Sequence, residues 1–339
     1  MRKSTMLAKP KLFPLGDFTL QSGQVLEDAQ LAYVSCGTLS PAGDNAILFP
    51  TYYTGTHLDN LSMVGPGRAL DPARYLIVIV NLLGNGQSSS PSNHPTQGAA
   101  KFPHISLLDN VSAHWRLLEQ LGVERLALAL GWSMGAQQAY HHAALFPERV
   151  KRLLAVCGSA RTSQHNWVFL EGVKAALEAD ASFDGGHYTA PPLRGLGAFG
   201  RVYAGWAYSQ TFFRERLYEQ LGHASPQALL SAWARDHQAY DANDLLCALS
   251  SWQRADISDN PLYGGDLPKA LAAIEARAII MPSSTDLYFP QEDSRLEVQL
   301  MPNAELRVLD SKFGHIAGGP DRVREGTAFV EAAILDLFK

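Results

Sequence analysis

The sequence predicts an α/β fold: a mostly parallel central sheet flanked by helices, with a helical cap insertion. Three observations carry this. Tyr75-Leu-Ile-Val-Ile-Val80 is a continuous apolar run rich in β-branched residues, the mark of a strand buried on both faces of a parallel sheet. Short apolar runs and helical patterns alternate around it and resume near the end of the chain. Between these two regions the pattern changes to aromatic-rich helical stretches without a strong strand. The expected division is a core of residues 1–160 and 266–339 with a cap of 161–265.

Taken in order, residues 13–35 read as a hairpin or meander. Phe18-Thr-Leu20 and Gln30-Leu-Ala-Tyr-Val34 supply strand formers, and Ser22-Gly23 a turn. Asn45-Ala-Ile-Leu-Phe49 is a buried strand stopped by Pro50. A polar, aromatic loop with Tyr52, Tyr53 and His57 follows. After Val80 comes Asn81-Leu-Leu-Gly84-Asn85-Gly86. It lacks the Lys-Ser/Thr of a P-loop and the third glycine of a dinucleotide fingerprint, so it reads as a turn at the mouth of a site. Ser106 caps a helix from Leu107 to Leu121, which Gly122 ends. Leu126 to Gly131 is a strand, Met134 onward a helix, and Val150 to Val156 a strand. In the cap, Trp167–Leu170, Phe199–Phe213 and Ala228–Trp233 read as helical. Pro268–Ala276 is a helix, Ala278–Met281 a strand, Gln291–Leu300 a helix, Glu305–Leu309 the last strand and Val323–Phe338 a closing helix.

Composition bounds the function. The 339 residues are 46% hydrophobic and 18% charged, enough for a large core. A net charge of −5 gives no electrostatic reason to expect nucleic acid or an anionic membrane as partner. The three cysteines, Cys36, Cys157 and Cys247, fit no zinc spacing and no disulfide framework, which points to a reducing compartment. The first eleven residues, Met1 to Lys11, lack the apolar run of a signal peptide, and no apolar stretch approaches a membrane span. A cytoplasmic protein is expected. No metal is expected, since no cluster of His, Asp and Glu has ligand spacing.

The chemistry is concentrated in Gly131-Trp132-Ser133-Met134-Gly135, which joins a strand to a helix. In that context Gly-x-Ser-x-Gly acts as a nucleophile elbow, a strained turn that lifts the serine hydroxyl clear of the sheet. The backbone N–H of Met134 then points where an oxyanion forms, aided by the helix N-terminus. A second N–H is expected from the loop after Phe49, from Tyr52 or Tyr53. A serine hydroxyl is a poor nucleophile near neutral pH. It needs an imidazole to take its proton and a carboxylate to hold the imidazole. Both partners are expected just past later strands, in the order acid, then histidine. Asp286 and His315 stand there, with Asp310 a rival acid. Of the eleven histidines, His141 and His142 lie on the helix behind the serine, and His57 is placed to line the site.

On these residues the chain resembles the homoserine O-acetyltransferase branch of the α/β-hydrolase superfamily. The similarity runs nearly the whole length. It includes Tyr33–Thr38, Gly65-Pro-Gly-Arg-Ala-Leu-Asp71, Asn81-Leu-Leu-Gly84, the Ser133-Met134-Gly135 elbow, Phe146-Pro-Glu-Arg-Val150, Asp241-Ala-Asn243, Asp286-Leu-Tyr-Phe-Pro290 and Gly314-His315. The resemblance implies an α/β-hydrolase fold, Ser133 as nucleophile, Asp286 as acid, His315 as base, and weakly a homodimer. In that branch a cap arginine holds the acceptor carboxylate. Arg201, followed by Tyr208, falls near its place if a gap of one residue is allowed, and Trp132 joins them as a substrate-binding candidate. Two departures stand out. The branch usually has Gly-Gly-Ser-Met-Gly-Gly at the elbow, and an aspartate directly after the histidine. Here Trp132 precedes the serine, Ala136 ends the motif, and Ile316-Ala-Gly-Gly319 follows the histidine.

Three functions are therefore weighed. The first is a carboxylic ester hydrolase working through an acyl-enzyme on a small-molecule ester, without a cofactor. The second is an O-acyltransferase taking acyl-CoA as co-substrate. The third is a non-catalytic binding protein on the same scaffold. The lost acid after His315 favours hydrolysis.

Overall fold

The computed structural model describes residues 9–339. Most of the N-terminal stretch read above for a signal peptide lies outside the described residues. Eight strands form one sheet in the order β1-β2-β4-β3-β5-β6-β7-β8. They are β1 (Lys11–Thr19), β2 (Val25–Cys36), β3 (Ala46–Leu48), β4 (Leu76–Val80), β5 (Leu126–Trp132), β6 (Arg152–Val156), β7 (Arg277–Met281) and β8 (Ala304–Leu306). β1 pairs antiparallel with β2, and β2 antiparallel with β4. From β4 through β8 every pairing is parallel.

The helices are α1 (His57–Leu61), α2 (Leu107–Gln120), α3 (Met134–Leu145), α4 (Gln164–Glu178), α5 (Leu193–Ala207), α6 (Gln210–Arg214), α7 (Pro226–His237), α8 (Ala242–Gln253), α9 (Leu267–Ala272), α10 (Gln291–Leu300) and α11 (Arg324–Leu337). Side-chain alternation along the strands divides the core. Ile47, Ile77, Ile79, Leu154 and Ile279 face α11 and the aromatic residues of α4, α5 and α8. Leu48, Val78, Val80, Leu153 and Ile280 face α2 and α3. Ser106 and Asp109 form a reciprocal cap at the start of α2. Residues 161–265 hold α4 to α8, and among them no strand is longer than an isolated bridge.

Several elements differ from expectation. The helical stretch expected over Phe199–Phe213 is two helices. Tyr208 is extended, and the Ser209 hydroxyl accepts from the Phe212 N–H at 2.9 Å, which starts α6. α9 stops at Ala272. β8 ends at Leu306 although Arg307 and Leu309 still donate to Ile280 and Pro282 across the sheet at 2.9 Å. The neighbouring Pro282 has no N–H to return, so the ladder lapses there.

One buried acid ties α10 to α3. Glu297 accepts from the Tyr140 hydroxyl and from the Ala160 N–H, both at 2.7 Å. Burial pushes its pKa up from 4.5 to about 7. A folded pKa above the unfolded one means the folded state holds the proton more tightly. The contribution to stability is then complete below about pH 4.5 and is lost as pH rises through 7. Glu297→Gln removes that loss; its amide oxygen still accepts from the Ala160 N–H, while its NH2 donates to the Tyr140 hydroxyl oxygen and so reverses that bond. The melting temperature of the variant relative to the parent is expected to rise from pH 5 to pH 8.5, read by thermal unfolding. A pH-independent difference would contradict the assignment.

Candidate active site

The elbow is built by close approach. β5 runs to Trp132 and α3 begins at Met134. Ser133 between them has φ 59° and ψ −129°, a conformation L-residues rarely adopt and one that costs on the order of 1–3 kcal/mol. A Cβ on Gly131 would lie 2.0 Å from the Gly135 carbonyl carbon, and one on Gly135 would lie 2.8 Å from the Pro50 carbonyl oxygen. Both glycines are therefore needed for strand, helix and the 50–53 loop to meet. That loop is pinned from two sides. Gln138 Nε2 donates to the Thr51 carbonyl at 2.9 Å, and Asn60 Nδ2 to the carbonyls of Phe49 and Pro50 at 3.1 and 3.2 Å. Among the described residues, the N–H groups of Tyr52, Tyr53 and Met134 have no hydrogen-bond partner.

His315 sits in a short turn after β8, and Asp286 in the loop after β7. Their Nδ1 and Oδ2 atoms are 2.7 Å apart, with both side chains almost fully buried. The other carboxylate oxygen of Asp286 accepts from the N–H groups of Tyr288 and Phe289 at 2.8 and 3.2 Å. Those two bonds fix the orientation of the carboxylate. Asp310 is exposed, and its carboxylate accepts from the Ser284 hydroxyl instead. The Cys157 Sγ joins Asp286 and His315 in a cluster whose donor atoms all lie within 4.8 Å. Burial, then the adjacent Asp286 charge, push that thiol well above its usual pKa. A protonated thiol beside an acid and base already bonded to each other is a poor donor set for a metal ion.

A cavity of about 640 Å³ opens over Ser133 and His315. Its walls include Tyr52, Tyr53, Trp132, Tyr208 and Ile316, with Tyr203, Trp233, Asp236 and Tyr240 from the segment between β6 and β7. The side chains of Tyr52 and Tyr53 differ in use. Tyr53 OH donates to the Leu245 carbonyl at 3.0 Å and its ring stacks on Tyr203, whereas Tyr52 OH accepts from Arg322 Nη2 at 3.2 Å.

Three expected placements are corrected. Arg201 is exposed and outside the cavity wall, because α5 turns Phe199, Tyr203 and Ala207 inward and leaves Arg201 on its outer face. The cation in the wall is Arg322, which also reaches Asp59 Oδ1 at 3.1 Å. Nothing in Gly318-Gly-Pro-Asp-Arg322 distinguishes it in the sequence from a surface loop. His57 does not line the cavity. It is buried at the start of α1, where Asn81 Oδ1 accepts from its backbone N–H at 2.9 Å. The Gly84–Gly86 segment is a turn, but one closed by a Gly84 N–H to Ser89 carbonyl bond and packed on Asp244 and Cys247, away from the cavity. Arg201→Ala is accordingly expected to leave kcat/KM within about twofold. Arg322→Ala is expected to lower it about tenfold by leaving Asp59 and Tyr52 without their partner. Steady-state kinetics on one neutral ester checks both.

A serine on a strained turn, a buried Asp–His pair and a cavity over the ends of parallel strands define a class of catalyst, and comparison with known proteins agrees. Residues 64–318 match the α/β hydrolase fold family, and the chain belongs to it. It is 38% identical over 312 residues to the ethyl acetate hydrolase of Pseudomonas veronii, covering 90% of this chain and 89% of that one. It is 31% identical over 316 residues to the homoserine O-acetyltransferase of Trichormus variabilis, covering 88% and 87%. The crystal structure of an acetylester hydrolase from Corynebacterium glutamicum matches with a TM-score of 0.94 and 34% identity, covering 99% of this chain and 97% of that one.

Proposed function

We propose that this protein is a serine ester hydrolase acting on small neutral esters, acetyl esters among them. The support for it is a cavity lined by both Ser133 and His315, with the Asp286 carboxylate buried behind the ring, 2.7 Å from His315 Nδ1. The acetyl preference rests on the ethyl acetate and acetylester hydrolases to which the chain is similar.

In this reading His315 takes the Ser133 proton as the hydroxyl attacks the ester carbonyl. The N–H of Met134 and one from Tyr52 or Tyr53 hold the oxyanion, and each is worth about a hundred- to a thousand-fold in rate. Asp286 fixes the imidazole tautomer and stabilises its charged form. His315 then protonates the leaving alcohol, and water activated by the same residue releases the acid. Every step uses this chain's own groups. Residues 161–265 act as a cap whose aromatic wall shapes the alcohol side.

The acyltransferase reading, with acyl-CoA as donor, is carried by the similarity to homoserine O-acetyltransferases. Against it, Ile316 presents an apolar wall where the resemblance places an acid, and Arg201 faces away from the cavity. The binding-protein reading leaves the strained Ser133 backbone without a purpose. No described helix is long and apolar enough to cross a membrane. The reducing, cytoplasmic setting remains a proposal on three unpaired cysteines, and the homodimer one for sedimentation to test.

Incubation with ethyl acetate, and separately with acetyl-CoA plus L-homoserine, tests the proposal. Acetate and ethanol are expected from the first, and no O-acetylhomoserine from the second. O-acetylhomoserine forming faster than acetate would replace hydrolysis by transfer.

A further inference from the structure

A hydrogen bond to Asp286 fixes one corner of the His315 ring. It sets the tautomer but only weakly the plane, and any tilt is magnified at Nε2 on the far side. Three aromatic rings surround the imidazole. Tyr288 meets it edge-on at 4.8 Å, Phe289 lies at 5.6 Å, and Trp132 stacks on it at 4.8 Å with the planes 26° apart. Tyr288 and Phe289 belong to the loop that carries Asp286. Trp132 belongs to the elbow.

Trp132 also grips the backbone of the same turn. Its indole N–H donates to the His315 carbonyl oxygen at 3.3 Å. Beyond His315 the chain passes so close that a Cβ on Gly318 would lie 2.7 Å from the Cys157 sulfur and 3.4 Å from Trp132 Cδ1. A Cβ on Gly319 would lie 3.3 Å from Trp132 Cη2. Tyr52 packs edge-on against the indole at 4.5 Å on another side. The two departures noted in the sequence, tryptophan before the serine and Gly318-Gly319 after the histidine, are therefore one packed unit.

We infer that Trp132 is a positioning residue: it sets the plane and height of the His315 imidazole relative to Ser133. The residue that orients the base is peptide-bonded to the nucleophile, so the two reacting groups share one reference. This inference rests on the ester-hydrolase reading of the site, but its geometry concerns the base alone.

The alternative role is substrate wall, since Trp132 also lines the cavity. The two roles separate in kinetics. A residue acting through His315 affects every substrate alike, whereas a wall residue discriminates by size. Trp132→Ala and Trp132→Phe are to be compared with the parent on methyl, butyl, hexyl and 4-nitrophenyl acetate. Their rates of covalent labelling by a small fluorophosphonate, which needs His315 but no ester, are measured alongside. Circular dichroism and thermal unfolding verify the fold.

Trp132→Ala is expected to lower kcat about a hundredfold, the scale of a misplacement near 1 Å, by one common factor across the esters. KM stays within about twofold, and labelling slows by a similar factor. Trp132→Phe keeps a ring over the imidazole and is expected to recover to within about tenfold of the parent. A loss that varies with alcohol size, or one confined to KM, overturns the inference in favour of a substrate wall. So does a Phe variant no better than Ala. Should the parent label rapidly yet hydrolyse none of the esters, the ester-hydrolase reading fails, while the labelling rates of the variants still decide the role of Trp132.

Discussion

Ser133→Ala is expected to remove ester hydrolysis almost entirely, by about 10⁶-fold in kcat, the scale seen when a triad nucleophile is deleted. The residual rate is what the oxyanion donors and substrate binding supply without a nucleophile. The fold should survive. Alanine keeps the Cβ and the positive φ, so the backbone strain at the elbow is unchanged, and Gly131 and Gly135 still allow strand and helix to meet. Thermal unfolding within a few degrees of the parent, with loss of activity on every acetyl ester, is the predicted pair of results. Substantial hydrolysis by the variant would remove the proposed mechanism.

Asp286→Asn is expected to cost about 10⁴-fold in kcat, because an amide can hold the imidazole in the wrong tautomer and offers no charge to the imidazolium. Asp310→Asn should leave kcat within about twofold. In the sequence both aspartates follow an expected strand, with Asp286 preferred and Asp310 its rival. In the structure one is buried and 2.7 Å from His315, and the other is exposed on Ser284. Parallel measurement of kcat for both variants checks the assignment. A large loss from Asp310→Asn with a small one from Asp286→Asn would reverse it.

What was legible in the sequence follows from which forces are local. β4, β5 and β6 are runs of apolar residues that no other structure buries as well, and the α2 cap is a four-residue pattern. The elbow is equally local, because Gly131 and Gly135 are demanded by atoms within a few residues or by the adjoining loop. His315 was within reach because Gly314, which is left-handed, precedes it in the loop that follows the last strand. The cavity wall was not legible. Its members come from loops and helices far apart in sequence, and which face of a helix turns inward is decided by packing. Arg201 and Tyr203 are two residues apart on α5, yet only Tyr203 reaches the cavity. Arg322 shows the same limit from the other side. Its partners, Tyr52 and Asp59, lie more than 260 residues away along the chain, so no local pattern announces it. The extent of β8 was overread for a related reason: Pro282, just past β7, has no N–H to give the ladder, so β8 stops at Leu306 and the pairing returns only as an isolated bridge between Ser283 and Leu309.

The central claim is that Ser133 forms the acyl-enzyme. The most direct test is to react the protein with a fluorophosphonate, digest it and locate the adduct by mass spectrometry. The prediction is a single adduct on Ser133, absent from Ser133→Ala, with ethyl acetate slowing its formation. An adduct on another serine, or none under conditions in which the protein hydrolyses ethyl acetate, would contradict it.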